Sequence, residues 1–134
     1  MTDVRPEWYQ LRDALEQADF VAAAALLQKD PRLLDERNGI GESVLHFLAV
    51  ENNQPAVEWL HAHRADLNAT NEFGIPLLFE VAQLGYRDLV VWLLQHGADS
   101  KKKKADGQSI EEHLAEHGKT DMLAFINEHV TPTA

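Results

Sequence analysis

The 134-residue chain has 45% hydrophobic and 25% charged residues, the size and composition of one folded domain, which excludes a disordered chain. Twelve basic against 22 acidic side chains give a formal charge of −10, so we expect neither nucleic acid nor a membrane as partner. Cysteine is absent, which removes disulfides and thiolate zinc sites. No segment has the length of a membrane span or the pattern of a secretory signal, so a cytoplasmic location is expected.

Turn residues mark the chain at Asn38-Gly39-Ile40-Gly41, where glycine supplies backbone conformations that other residues resist. The apolar residues of the next segment, Ser43 to Glu51, have helical spacing and predict a short helix with one buried face. Pro55 opens a second predicted helix, Ala56 to His63, and residues 64–68 close the unit as a loop. Neither helix is long enough to be stable alone, so such units must stack on one another.

These signals return at a step of 33 residues along the chain, which is the mark of a repeat protein. The step relates Gly41, Gly74 and Gly107; Ala49, Ala82 and Ala115; Val57, Val90 and Leu123; and Trp59, Trp92 and Phe125. Chance composition does not produce so many matches at one offset. The period predicts four units, at about residues 5–37, 38–70, 71–103 and 104–130, within a single domain of residues 1–134.

Two of these units carry a recognisable motif. The second reads Gly41-Glu-Ser43-Val-Leu45-His46-Phe-Leu48-Ala49 and ends Arg64-Ala65-Asp66-Leu-Asn68, and the third ends Val90-Val91-Trp92-Leu93-Leu94 and then Gly97-Ala98-Asp99. They resemble the ankyrin repeat family, whose pattern runs Gly-x-Thr-Pro-Leu-His-x-Ala-Ala, then Val-x-x-Leu-Leu and Gly-Ala-Asp-x-Asn. The resemblance implies an all-α solenoid of helix-turn-helix repeats with hairpin-like loops, which binds another protein and does no chemistry.

The first and last units depart from that pattern. Ala22 to Ala25 replace bulky residues, and Asp30 to Leu34 replace the Gly-Ala-Asp loop. In the last unit Glu111 and Glu112 stand where an inner repeat would bury a leucine and a histidine. Terminal repeats need such polarity because one of their sides faces water. We therefore predict two inner repeats between an N-terminal and a C-terminal cap.

The segment His113-Leu-Ala-Glu116-His117 matches the His-x-x-Glu-His signature of some zinc hydrolases. Catalytic zinc needs a third protein ligand and an open position for water, and the sequence offers no clear third ligand. The repeat register explains the same segment as a capping helix. We expect no catalytic residue, no metal and no cofactor, and keep zinc-dependent hydrolysis as a distant alternative.

The remaining histidines, aromatic residues and lysines have structural interpretations. His46 stands at the family position whose ring bonds the neighbouring turn, and His61, His63 and His96 are expected at the surface near helix ends. Trp59, Trp92 and Phe125 are expected to pack between repeats. The run Lys101 to Lys104 lies on an inter-repeat loop, as a solvated tip or as a contact for an acidic tail.

Binding is expected on the concave face, which the first helix of each unit and the adjoining loops form in this family. The register places twelve helix positions there, of which five are acidic and none is lysine or arginine. They are Asp13, Glu16 and Gln17; Phe47, Val50 and Glu51; Glu80, Gln83 and Leu84; and His113, Glu116 and His117. The loops add Ile40, Glu42, Glu72, Phe73, Ile75, Asp106 and Gln108.

Exposed apolar residues that are surrounded by charges of one sign indicate a protein-binding surface. The predicted contacts are Glu16, Glu42, Phe47, Val50, Glu51, Phe73, Ile75, Glu80, Gln83 and Leu84. The expected partner is a protein with a basic surface, and the free chain is expected to be a monomer. The protein would act as an adaptor or, alternatively, as an immunity protein or dedicated inhibitor that neutralises a cationic bacterial toxin or enzyme.

Overall fold

The computed structural model describes residues 6–130, and this part of the chain is helical without a β-strand. Its helices are α1 Pro6–Glu16, α2 Phe20–Lys29, α3 Val44–Val50, α4 Gln54–Ala62, α5 Leu77–Leu84, α6 Arg87–Gln95, α7 Ile110–Glu116 and α8 Thr120–His129, with a 3₁₀ helix at Pro31–Asp35. One isolated antiparallel bridge joins Thr70 to Pro76. The predicted all-α fold of ankyrin-type helix-turn-helix repeats is confirmed.

The chain divides into two compact units, which are not the four repeats. Residues up to Asp66 are called the first unit below, and residues from Leu67 the second unit. In the first unit α1 packs on α2 and α3, and α3 packs on α4. In the second unit α5 packs on α6, and α7 packs on α8. Within this unit the first helices of the two repeats, α5 and α7, contact each other, and so do the second helices, α6 and α8. The first helix of each repeat is called the inner helix below, and the second the outer helix.

Side-chain caps explain where the short helices begin. Ser43 accepts a hydrogen bond from the backbone amide of His46 (3.1 Å) at the start of α3. Asn53 accepts one from Ala56 at 3.2 Å, so α4 starts two residues before the predicted Ala56, with Pro55 in its first turn. Each cap satisfies an amide that the helix itself cannot pair.

The repeat is visible in the burial of its apolar side chains. Leu48, Ala49 and Val57 in the first unit, and Val81, Ala82 and Val90 in the second, are all 0% exposed. In the last repeat Ala115, Glu111 and Glu112 are exposed. Since these residues stand at positions that inner repeats bury, their exposure is what a C-terminal cap requires.

The aromatic residues spaced by 33 lie on the outer helices and are half-buried. The Trp59 ring stacks on that of His63 with centroids 3.7 Å apart, and Trp92 stacks on His96 at 4.3 Å. In both pairs Nδ1 of the histidine lies 2.8 Å from the backbone oxygen of the tryptophan and therefore donates to it. These two exposed histidines thus cap the C-terminal ends of α4 and α6, a contact that was not predicted from the sequence.

Candidate functional site

In the second unit the candidate site begins with a loop that Asn71 holds in shape. The Oδ1 atom of Asn71 accepts hydrogen bonds from the backbone amides of Phe73 (2.8 Å) and Ile75 (3.0 Å). Its Nδ2 atom donates to Glu80 Oε1 at 3.2 Å. One side chain therefore shapes the loop and ties it to α5, so the loop residues have fixed positions relative to that helix.

The apolar residues predicted around this loop differ in exposure. Phe73 is 75% exposed and Leu84 is 47% exposed, while Ile75 is half-buried. A phenylalanine exposed to this degree loses little water contact on folding, so most of its apolar surface remains available to a partner. The acidic residue next to it, Glu72, is also exposed.

The predicted contact residues Glu80 and Gln83 are both engaged inside the second unit. Glu80 is half-buried and accepts the hydrogen bond from Asn71. Gln83 Oε1 lies 2.7 Å from His113 Nε2, which donates to it. These two side chains support the surface, and a partner that used them would have to share existing hydrogen bonds.

His113 was expected to face outward with His117, and this prediction is wrong for His113, whose side chain is only 3% exposed. Its ring packs on that of Phe79 of α5, with centroids 5.4 Å apart. Burial in this apolar setting, followed by the nearby His117, lowers the pKa of His113 below its ordinary value of 6.5. Burial therefore favours the neutral imidazole of His113 more than solvent exposure would.

The geometry of His113 and His117 gives little support to the zinc alternative. Nε2 of His113 is occupied by Gln83, and Nδ1 of His117 lies 2.8 Å from the backbone oxygen of His113, to which it donates. Within residues 6–130 no group of three or more histidine, aspartate or glutamate side chains is arranged to hold a metal ion. The segment serves in the structure as the end of α7.

In the first unit Asn38 builds the equivalent loop. Its Oδ1 atom accepts from the amides of Ile40 (3.1 Å) and Glu42 (2.9 Å), and its Nδ2 atom donates to Glu42 Oε1 at 3.3 Å. Ile40 is 68% exposed at the loop tip and Glu42 is half-buried. An exposed apolar tip beside a tethered acid is thus present in both units.

Helix α1 of the first unit carries a basic residue, Arg12, that was not predicted to lie near the candidate surface. The guanidinium of Arg12 lies 5.2 Å from the ring centre of Phe47, and it pairs with Asp13 at 2.8 Å. The Phe47 ring also meets Trp8 edge-on at 5.8 Å and is half-buried. Arg12 follows Trp8 by four residues, so helical spacing would have placed the two side chains on one face.

The other predicted contacts of this unit are simpler. Glu51 and Glu16 are exposed and Val50 is half-buried. One nitrogen of Arg12 lies 3.9 Å from Glu16, a long ion pair that neutralises part of the acidic charge. The surface of the first unit is consequently less acidic than a count of its outward positions suggests.

Residues 45–94 match the family described as ankyrin repeats (many copies). The matched segment runs from α3 through α6, which are the helices of the two inner repeats. No curated protein was found to match the chain. None of the helices in residues 6–130 is both long and apolar enough to cross a membrane. Ankyrin repeats generally mediate binding between proteins and are typically non-catalytic, and residues 45–94 of this chain are similar to them.

Proposed function

We propose that this protein is a non-catalytic module that binds a partner protein through a basic surface of that partner. The contacts lie on the loops and inner helices of the two units. The observation that carries the proposal is the exposure of Phe73 and Ile40 at the loop tips, beside the acidic residues Glu72 and Glu42. An apolar anchor next to acids suits a cationic protein surface with an apolar centre.

The hydrogen bonds of Asn38 and Asn71 support this proposal energetically. A loop that is already held by its own side chains loses little conformational freedom on binding. Phe73 and Ile40 therefore offer apolar area without the cost of first ordering the loops that carry them. Aromatic residues in such positions are often the ones that contribute most to affinity.

Electrostatics support a basic partner because the chain carries −10 charges overall. Glu51 and Glu16 are exposed in the first unit and Glu116 in the second. Such a field raises the rate of encounter with a cationic protein at low ionic strength. Screening by physiological salt, with a length of about 8 Å, should reduce that advantage.

The partner can be isolated by affinity capture from the native lysate followed by mass spectrometry, with Phe73→Ala as a parallel bait. We expect Phe73→Ala to weaken binding on the order of tenfold, with an unchanged helical circular dichroism spectrum because Phe73 is 75% exposed. A captured protein that binds the variant and the parent equally would contradict the proposed surface. Loss of the partner's own activity on binding would identify an inhibitor or immunity protein rather than an adaptor.

The charge component needs a separate measurement, because Glu80 also holds the loop. The variant Glu51→Lys/Glu80→Lys should slow association strongly. The variant Glu51→Gln/Glu80→Gln removes the two charges and retains an acceptor for Asn71. The matched control is glutamine at Glu58 and Glu128, two exposed acids on the outer helices. If the variants with glutamine at positions 51 and 80 and at positions 58 and 128 associated at equal rates, the total charge, and not this surface, would attract the partner.

A further inference from the structure

The second unit also carries a surface of opposite charge, in the loop between α6 and α7. This loop contains the run Lys101 to Lys104, which the structure separates into two kinds of side chain. Lys102 donates its Nζ atom to the backbone oxygen of Asn68, and Lys104 Nζ lies 3.7 Å from Asp106 Oδ2. Both are half-buried, whereas Lys101 and Lys103 are exposed. Within residues 6–130 these two exposed ammonium groups form no ion pair.

Hydrogen bonds fix the backbone that presents the exposed lysines. Asn68 donates to the Gly97 oxygen at 3.0 Å and accepts from the Asp99 amide at 2.7 Å. Asp99 in turn accepts from the Lys101 amide at 2.8 Å through its carboxylate, and from the Lys102 amide at 3.2 Å through its backbone oxygen. The loop is therefore shaped before any ligand arrives, which lowers the entropic cost of binding one.

A cavity of about 270 Å³ opens beside these lysines. It is lined by Ser100, Lys101, Lys103, Ser109, Glu111, Ile126, Asn127 and Val130. Ile126 and Val130, at the end of α8, supply its apolar lining, and Ser100, Ser109, Asn127 and Glu111 supply hydroxyl, amide and carboxylate groups. Its volume lies just below the usual range for small-molecule pockets, so it suits one or two side chains better than a whole cofactor.

We propose that this cavity binds an acidic segment of a partner protein, with an apolar side chain against Ile126 and Val130 and a neighbouring aspartate or glutamate between Lys101 and Lys103. The side-chain amide of Asn127 and the carboxylate of Glu111 match the carbonyls and amides of a peptide backbone. The Ser109 hydroxyl already donates to Glu112 at 3.0 Å. A phosphate group fits less well, because it offers no hydrogen-bond donor to Glu111, whereas the backbone amides of a peptide do. The site is separate from the acidic surface proposed above and does not depend on it.

The test is a titration of the full chain with the peptide acetyl-Leu-Glu-Leu-Glu-amide, followed by ¹⁵N–¹H NMR. We expect the largest amide shifts at residues 100–103 and at Asn127, and weaker binding as salt increases. The peptide acetyl-Leu-Gln-Leu-Gln-amide, which lacks the carboxylates, should bind on the order of tenfold more weakly. Equal binding of the two peptides, or shifts centred elsewhere, would overturn the proposal.

The variant Lys101→Gln/Lys103→Gln removes the two charges from exposed positions and should not disturb the fold. It should weaken binding of the acidic peptide by roughly tenfold, since each exposed ion pair contributes at most a few-fold. The variant Lys29→Gln/Lys119→Gln makes the same change in net charge at two exposed lysines outside the cavity. If both variants lost affinity equally, the effect would come from net charge and the assigned cavity would be wrong.

Discussion

The two units use the same loop construction to present different surfaces. Asn38 and Asn71 make the same pair of side-chain bonds to the loop amides, and each holds an exposed apolar residue at its tip. The inner-helix position that is Phe47 in the first unit is Glu80 in the second. Phe47 is covered by an arginine and a tryptophan, whereas Glu80 is tied to its own loop. The repeat thus fixes the backbone, and single side chains set the chemistry of each unit.

The largest expected effect concerns the aromatic cover of the first unit. Trp8 is 0% exposed and donates from Nε1 to the Glu36 oxygen at 3.2 Å. Trp8→Ala should lower the free energy of unfolding by about 3–5 kcal/mol, because it leaves a large cavity and removes the hydrogen bond to the Glu36 oxygen. Urea denaturation followed by circular dichroism measures the change. Tyr9→Ala, at a neighbouring residue that is 39% exposed, should lower the free energy of unfolding by about 1 kcal/mol or less. Equal losses of stability in the two variants would show that the burial of Trp8 makes no specific contribution.

The next effect tests how the loops of the second unit rest on each other. Gly74 has φ +75°, and a Cβ atom there would overlap the Cβ of Ala105, whose amide donates to the Gly74 oxygen at 3.1 Å. Gly74→Ala should lower the free energy of unfolding by about 2–3 kcal/mol, from backbone strain and displacement of the Ala105 backbone.

Gly107 is the matched control for that substitution, because it occupies the same repeat position. Its φ is +91°, but nothing lies within 4 Å of an added Cβ. Gly107→Ala should therefore show the strain alone, about 1 kcal/mol. Thermal unfolding of both variants separates the backbone strain from the overlap with Ala105. Identical shifts in Tm would show that the overlap with Ala105 does not contribute.

A gain in stability is expected where the first unit lacks a glycine that the second unit has. Arg64 has φ +77°, and the equivalent residue one repeat later is Gly97 at φ +110°. Arg64→Gly should raise the free energy of unfolding by up to about 1 kcal/mol by relieving a left-handed conformation that glycine adopts freely. A calorimetric comparison with the parent measures it. A lower Tm would mean that the Arg64 side chain contributes more than its backbone costs.

The smallest effect is a pH dependence that arises in the second unit. Burial and the nearby His117 depress the pKa of His113 below 6.5, so the unfolded chain takes up a proton at this residue more readily than the folded chain. The contribution of His113 to stability is therefore complete above its unfolded pKa and decreases as pH falls below that value. His113→Gln should flatten the dependence of Tm on pH between pH 7 and 5, and an unchanged slope would assign it to other histidines.

The helices of the inner repeats could be predicted because their signals are local: turn glycines, the apolar spacing after Ser43 and the proline at position 55. The mistaken position of His113 has a clear cause. The residue two repeats before it is Phe47, and both side chains pack on the preceding inner helix of their own unit, Phe47 on α1 and His113 on α5. A register argument that treats each helix alone assigns such a position to solvent.

The contacts that shape the candidate surface were hidden from the sequence for a related reason. Arg12 and Phe47, and Gln83 and His113, are each at least 30 residues apart, and only the packing of two helices brings them together. The exposure of Phe73 was foreseen because it follows from a loop position that the repeat itself marks. The sequence could not show which acidic side chains form hydrogen bonds within the fold, because the bond from Asn71 to Glu80 depends on how the loop lies against α5.

The stacking of Trp59 and Trp92 on histidines gives the protein a built-in optical reporter. The centroids of these two indole rings lie 3.7 Å and 4.3 Å from those of the His63 and His96 rings, so their emission depends on a contact made within one helix end. Trp8 instead meets the rings of Tyr9 and Phe47. Unfolding of α4 or α6 should therefore change the emission of Trp59 or Trp92, and loss of the α1 packing should change that of Trp8, so that these helices can be followed without an attached dye.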